Sequence, residues 1–190
     1  MPAYRTRPLP GRAEGRPPHH RCGGVTLVEL MITLSVLVIM TTIGVPSMTS
    51  VIHNNRVAIT ANDLTLALTL ARSEAIRRGA TMRVCASSDG VDCDIVNPND
   101  CHADWSVGWL VLPAATGDVV RVQNAVAGGI GPAEQSGAPW VSFDALGAAG
   151  FPACVSATSV AFNIGDAANA ALRQRRLELM PSGRVSLESL

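Results

Sequence analysis

The feature that most constrains this chain is an apolar run from Val25 to Val45 whose one charged residue is Glu29. As a helix, about 21 residues would extend roughly 31 Å, the thickness of a bilayer's hydrocarbon core. Overall, 47% of residues are hydrophobic and 16% charged, a low charge content, and this run is where the apolar excess is concentrated. Ahead of it lie Arg5, Arg7, Arg12, Arg16 and Arg21 against one acid, Glu14, in a stretch rich in Pro and Gly. Residues 1–24 show no apolar periodicity and are expected to be unstructured. Cations before the run, and none after it until Arg56, predict a cytoplasmic N-terminus with the rest of the chain across the membrane.

A cleaved secretory signal also joins a basic flank to an apolar run. This run is longer than a signal core, Thr42-Ile43-Gly44-Val45-Pro46 makes a poor cleavage site, and a helical pattern continues beyond it. Glu29 separates the remaining readings. A carboxylate inside a bilayer costs about 2.5–3.5 kcal/mol, so it needs a partner or a task. The plain alternative is an acid near a helix end that reaches the headgroups of an unprocessed bitopic protein.

The string Gly24-Val25-Thr26-Leu27-Val28-Glu29-Leu30 resembles the type IV prepilin processing motif. The resemblance implies that an inner-membrane prepilin peptidase removes residues 1–24 by cutting between Gly24 and Val25, then methylates the new amine. It also implies that Glu29 pairs with the amine of a neighbouring subunit during assembly. An unpaired buried charge is strongly unfavourable, so such a pair fixes register.

Gly44 and Pro46 mark the end of the expected span, 25–45, and Pro46 is expected to kink the helix there. Beyond it, Val57, Ala61, Leu64, Leu68, Ala71 and Ala75 recur at alternating spacings of four and three, one stripe of an amphipathic helix. Arg56, Asn62, Asp63, Arg72 and Arg77 lie off it. Arg77-Arg78-Gly79 supplies cations and a glycine stop. The long helix is therefore predicted over 25–78, roughly 80 Å at 1.5 Å per residue.

After Gly79 the period shortens to that of strands. Strands are predicted at Thr81–Ala86, Ser106–Leu112, Val119–Val126, Trp140–Phe143, Val160–Ile164, Arg176–Met180 and Arg184–Leu187. Gly128-Gly129, Gly131-Pro132 and Gly147–Pro152 read as loops. One helix followed by a run of strands predicts an α+β architecture, with residues 79–190 forming an antiparallel β domain under the helix stripe. Leu70–Gly79, Val84–Gly90 and Trp105–Val111 resemble the helix end and first strands of minor pilins of the FimT and GspH kind. That resemblance implies a pilin-like fold and a structural role in a type II secretion pseudopilus or a type IV pilus. Other pilins and an inner-membrane assembly platform are its implied partners, and the β domain is implied to be periplasmic. Some FimT-type members act in DNA uptake through a terminal Gly-Arg-x-Arg motif. Here Gly183-Arg184-Val185-Ser186 lacks the second arginine, so DNA contact through Arg184, aided by Arg173, Arg175 and Arg176, stands only as the alternative. Without residues 1–24 the chain keeps ten of its fifteen arginines and fourteen of its fifteen acids, so bulk charge gives nucleic-acid binding no support.

Cys22 falls in the leader, leaving Cys85, Cys93, Cys101 and Cys154 in an oxidising compartment. Two disulfides are expected, with three connectivities open; Cys85–Cys93 around the Asp89-Gly90 turn, with Cys101–Cys154, is the pairing favoured here. A zinc site from Cys93, Cys101 and His102 is the sharper alternative, but its spacing fits no zinc pattern. Asp89, Asp92, Asp94, Asn97, Asn99 and Asp100 read as a solvated acidic loop without an EF-hand pattern. Trp105, Trp109 and Trp140 read as core or interface anchors. His102 and Asp104 lack a nucleophile elbow, so no catalytic constellation, cofactor or metal is expected.

Overall fold

The computed structural model describes residues 24–190 except 95–100, 127–128, 157, 166–172 and the side chains of 43–47. The chain divides into two compact units, one up to Ile43 and one from Gly44 onward. Helix α1 is Leu27–Arg78. It begins two residues later than expected because Thr26 serves as its N-cap. The Thr26 hydroxyl accepts from the Glu29 N–H at 3.2 Å and its carbonyl from the Leu30 N–H at 3.1 Å. The stop falls where the sequence placed it. Gly79 adopts φ +62°, and the Ala80 N–H returns to the Ala75 carbonyl at 3.2 Å, a closure that the left-handed glycine permits.

In the second unit all six stripe residues are buried, joined by Thr60 and Ala67. The Thr60 hydroxyl is tied to the Arg56 carbonyl at 3.0 Å, which makes its burial tolerable. The stripe forms one core with side chains from two sheets, among them Met82, Val84, Trp109, Val111, Phe143, Phe162, Leu177 and Leu179. Small residues at 61, 67, 71 and 75 let backbone approach backbone, while Leu64 and Leu68 fill the remaining space. Burying each leucine stabilises the fold by about 1.5–3 kcal/mol.

The first sheet has the order β3-β2-β1-β5-β6, built from β1 (Met82–Ala86), β2 (Gly108–Pro113), β3 (Arg121–Asn124), β5 (Trp140–Phe143) and β6 (Ala149–Gly150). The second has the order β4-β7-β8-β9, from β4 (Gly131–Glu134), β7 (Val160–Gly165), β8 (Arg175–Leu179) and β9 (Val185–Ser189). Every pairing is antiparallel. The architecture is α+β, a long helix on antiparallel sheets.

Three expectations need correction. Trp105–Val107 is a 3-10 turn, not the start of a strand. The turn lets the Trp105 indole drop into the core, donate to the Ala138 carbonyl at 2.9 Å and meet Phe162 edge-on at 4.9 Å. Gly131–Glu134 and Ala149–Gly150 are strands where loops were expected. Both are edge strands, and an edge accommodates Pro132, whose missing N–H costs no ladder bond there. The Val119–Val126 strand contracts to Arg121–Asn124.

Candidate functional site

The residues expected to matter for processing and assembly gather at the start of α1. Gly24 to Thr26 precede the helix, Val25 is 70% exposed, and a methyl group added at Gly24 would meet nothing within 4 Å. The Gly24–Val25 peptide bond therefore lies in open chain, just ahead of the capped first turn. Glu29 closes that first turn and is exposed.

From Leu27 to Thr42 every side chain is exposed in the isolated chain. The apolar residues span all sides of the helix, from Val36 at 47% to Leu27 at 75%. A helix that is apolar all round needs apolar surroundings supplied from outside. Its hydroxyls are already adapted to such surroundings. Thr33 donates to the Leu30 carbonyl, Ser35 to Met31, Thr41 to Val38 and Thr42 to Ile39, at 2.8–2.9 Å. Turned back onto the backbone, they need no outside partner. The Glu29 carboxylate is different, because no described residue donates to it.

Gly44 and Pro46 lie within α1, which continues through them as one helix. Whether Pro46 kinks it lies outside the described side chains. Among the described residues no helix is long and apolar enough to cross a membrane; the described side chains of the apolar run end at Thr42.

Cys85 is bonded to Cys93, with Cα atoms 5.6 Å apart, and Cys101 to Cys154, at 5.8 Å. Cys93 and Cys101 thus belong to separate bridges, which rules out the zinc alternative. The first bridge closes a loop organised by Asp89, whose Oδ1 accepts from the Ser87 hydroxyl and from the N–H groups of Val91 and Asp92. Those backbone bonds, foremost the one from Val91, hold its carboxyl below the usual range. Asp94 accepts from the Ser88 hydroxyl at 3.1 Å. Asn97, Asn99 and Asp100 lie outside the described residues. Asp104 caps the 3-10 turn by accepting from Ser106 N–H. Trp140 is half-buried beneath the Arg83 guanidinium, which sits 4.7 Å from the ring centre.

Arg184 is not brought together with the other arginines of the nucleic-acid alternative. Arg184 is exposed in the turn after β8, whereas Arg173, Arg175 and Arg176 lie at that strand's beginning. The length of β8, about 13 Å between Arg175 and Leu179, separates them.

Sequence reasoning missed Arg72. Its position off the stripe suggested a solvent-facing residue, yet it is half-buried and its Nη2 donates to the Ser182 carbonyl at 3.1 Å. It wedges against Gly147 and Gly183, joining the helix to two turns distant in sequence. The Arg72-x-x-x-Ile76 spacing gave the only hint, since Ile76 also packs against Gly147.

Residues 60–183 match the family model described as type II transport protein GspH, and residues 19–45 match the prokaryotic N-terminal methylation motif. No curated protein matches the chain. Two crystal forms of the type IV minor pilin FimU from Pseudomonas aeruginosa are 23% identical to it. They cover 69% and 70% of this chain and 91% and 89% of their own, with TM-scores of 0.50 and 0.52. The minor pseudopilin EpsH of the Vibrio cholerae type 2 secretion system is 16% identical, covering 70% of this chain and 97% of its own, with a TM-score of 0.49.

Proposed function

This chain belongs to the family of the type II transport protein GspH, and from that premise we propose that it is a minor subunit of a pilus or pseudopilus, added to the fibre through the first half of α1. In this reading a prepilin peptidase cuts at Gly24, methylates Val25 and leaves Glu29 as the fifth residue of the mature chain. Val25–Val45 holds the subunit in the inner membrane, with the β domain on the periplasmic side. Other pilins and the inner-membrane assembly platform are its partners, and no catalytic step is assigned to it.

One observation supports the reading most directly. The start of α1 exposes apolar surface on every side, satisfies its own hydroxyls, and leaves one carboxylate without a donor among the described residues. A methylated amine one helical turn earlier in the mature chain of a neighbouring subunit is a cation of the right reach. The alternative of a DNA receptor gains nothing from Arg184, which stands apart from the other three arginines. A type II secretion pseudopilus and a type IV pilus remain the two settings, and gene neighbourhood distinguishes them.

The test is to replace Glu29 by leucine or glutamine and measure the subunit's share in sheared fibres. Incorporation is expected to fall at least tenfold, with insertion in the membrane retained. Unchanged incorporation of both variants would refute the proposal.

A further inference from the structure

At the end of the β domain where α1 passes over β8 and β9, a cleft of about 200 Å³ is lined by Asn54 and Asn55 of the helix, Arg173 and Arg175, and Ser189 of β9. Alternation along β8 puts Arg175 on the same face as Leu177 and Leu179, both fully buried in the core. An arginine on the inward face of a strand is uncommon unless its charge is answered. Arg173, two residues earlier, lines the same cleft. Among the described residues, neither arginine makes an ion pair.

We propose that this cleft is a binding site for a phosphate group, held between the guanidinium groups of Arg173 and Arg175. Two guanidinium forks, two side-chain amides and a serine hydroxyl present more donors than the two oxygens of a carboxylate can accept. A phosphate monoester offers three terminal oxygens and a charge of about −1.5 to −2 at neutral pH, close to that of the two arginines with opposite sign. The same chemistry arrives either as free phosphate or as the monoester headgroup of phosphatidic acid, and the cleft recognises what the two share.

The test uses the full chain reconstituted in phosphatidylcholine nanodiscs. Inorganic phosphate is titrated by calorimetry at constant ionic strength, and in a second arm phosphatidic acid replaces part of the phosphatidylcholine. Saturable binding of inorganic phosphate is expected, weakened at least tenfold in Arg173→Gln/Arg175→Gln and unchanged in Arg77→Gln, an arginine remote from the cleft. Saturable binding of phosphatidic acid alone, lost in the same double variant, assigns the phosphate to a lipid and also supports the site. Arg173→Gln by itself, at an exposed position, guards against a folding defect and is expected to weaken binding in the same direction. Absence of saturable binding to both probes, or equal binding by wild type and folded double variant, overturns the proposal. Neither outcome bears on cleavage at Gly24 or on incorporation into fibres.

Discussion

Glu74 shows how a single side chain ties stability to pH in this domain. It accepts from Arg77 Nε at 3.0 Å and Nη2 at 2.5 Å and from Arg78 Nε at 2.7 Å, and the bonds from these two arginines, Arg77 foremost, lower its pKa from 4.5 to about 2. A carboxyl with a depressed folded-state pKa contributes stability above its unfolded value and loses it as pH falls through the folded one. The contribution of this cluster is therefore present above about pH 4.5 and vanishes towards pH 2. The arginines are 66% and 38% exposed, so the effect is small and screened by salt. Melting curves of wild type and Glu74→Gln should differ by a constant amount from pH 7 to 5 and converge towards pH 2. A gap that persists at pH 2 would contradict this assignment. Gly183 is constrained by space as well as by conformation. Its φ is +74°, and an added Cβ would lie 2.1 Å from the Gly147 carbonyl oxygen. Gly183→Ala should destabilise the domain by about 2 kcal/mol or more in chemical unfolding. A change under about 0.5 kcal/mol would show that the two turns separate easily.

Among the elements, the helix was the most legible. Six apolar positions at helical spacing named the buried face, and Arg77-Arg78-Gly79 named the end, because helix periodicity and glycine stops are local signals. The edge strands were not legible. Gly131-Pro132 and Ala149-Gly150 pair only because β7 and β5 lie beside them, and that adjacency is a tertiary fact absent from their own composition. Arg72 escaped notice for the same reason, since its partner Ser182 is 110 residues away. The N-terminal methylation motif could be read from Gly24 to Glu29, whereas the cleft at Arg175 could not, because β8 and α1 meet only in the fold. The two disulfides also act at this scale, with separations of 8 and 53 residues. Loop-closure entropy assigns about 2.5 kcal/mol to the short loop and about 4 kcal/mol to the long one. Cys101→Ser/Cys154→Ser should therefore lower stability more than Cys85→Ser/Cys93→Ser in denaturant titrations under oxidising conditions. The reverse order would show that the buried position of Cys85 outweighs loop length.

At the scale of the whole molecule, two halves of one helix meet opposite demands. The half beyond Gly44 buries one face on a sheet domain that carries its own core. In the other half the described side chains from Leu27 to Thr42 are exposed, and in the proposed account lipid and neighbouring helices cover them. In the proposed account, removal of the arginine-rich leader prepares the first half for assembly. It deletes five cations and creates the single amine that Glu29 is placed to meet on a neighbouring subunit. The most direct measurement is the intact mass of the protein purified from membranes that contain its peptidase. The account predicts a chain that begins at Val25 and carries one added methyl group on its amine. A mass that retains the arginine-rich residues 1–24 would contradict it.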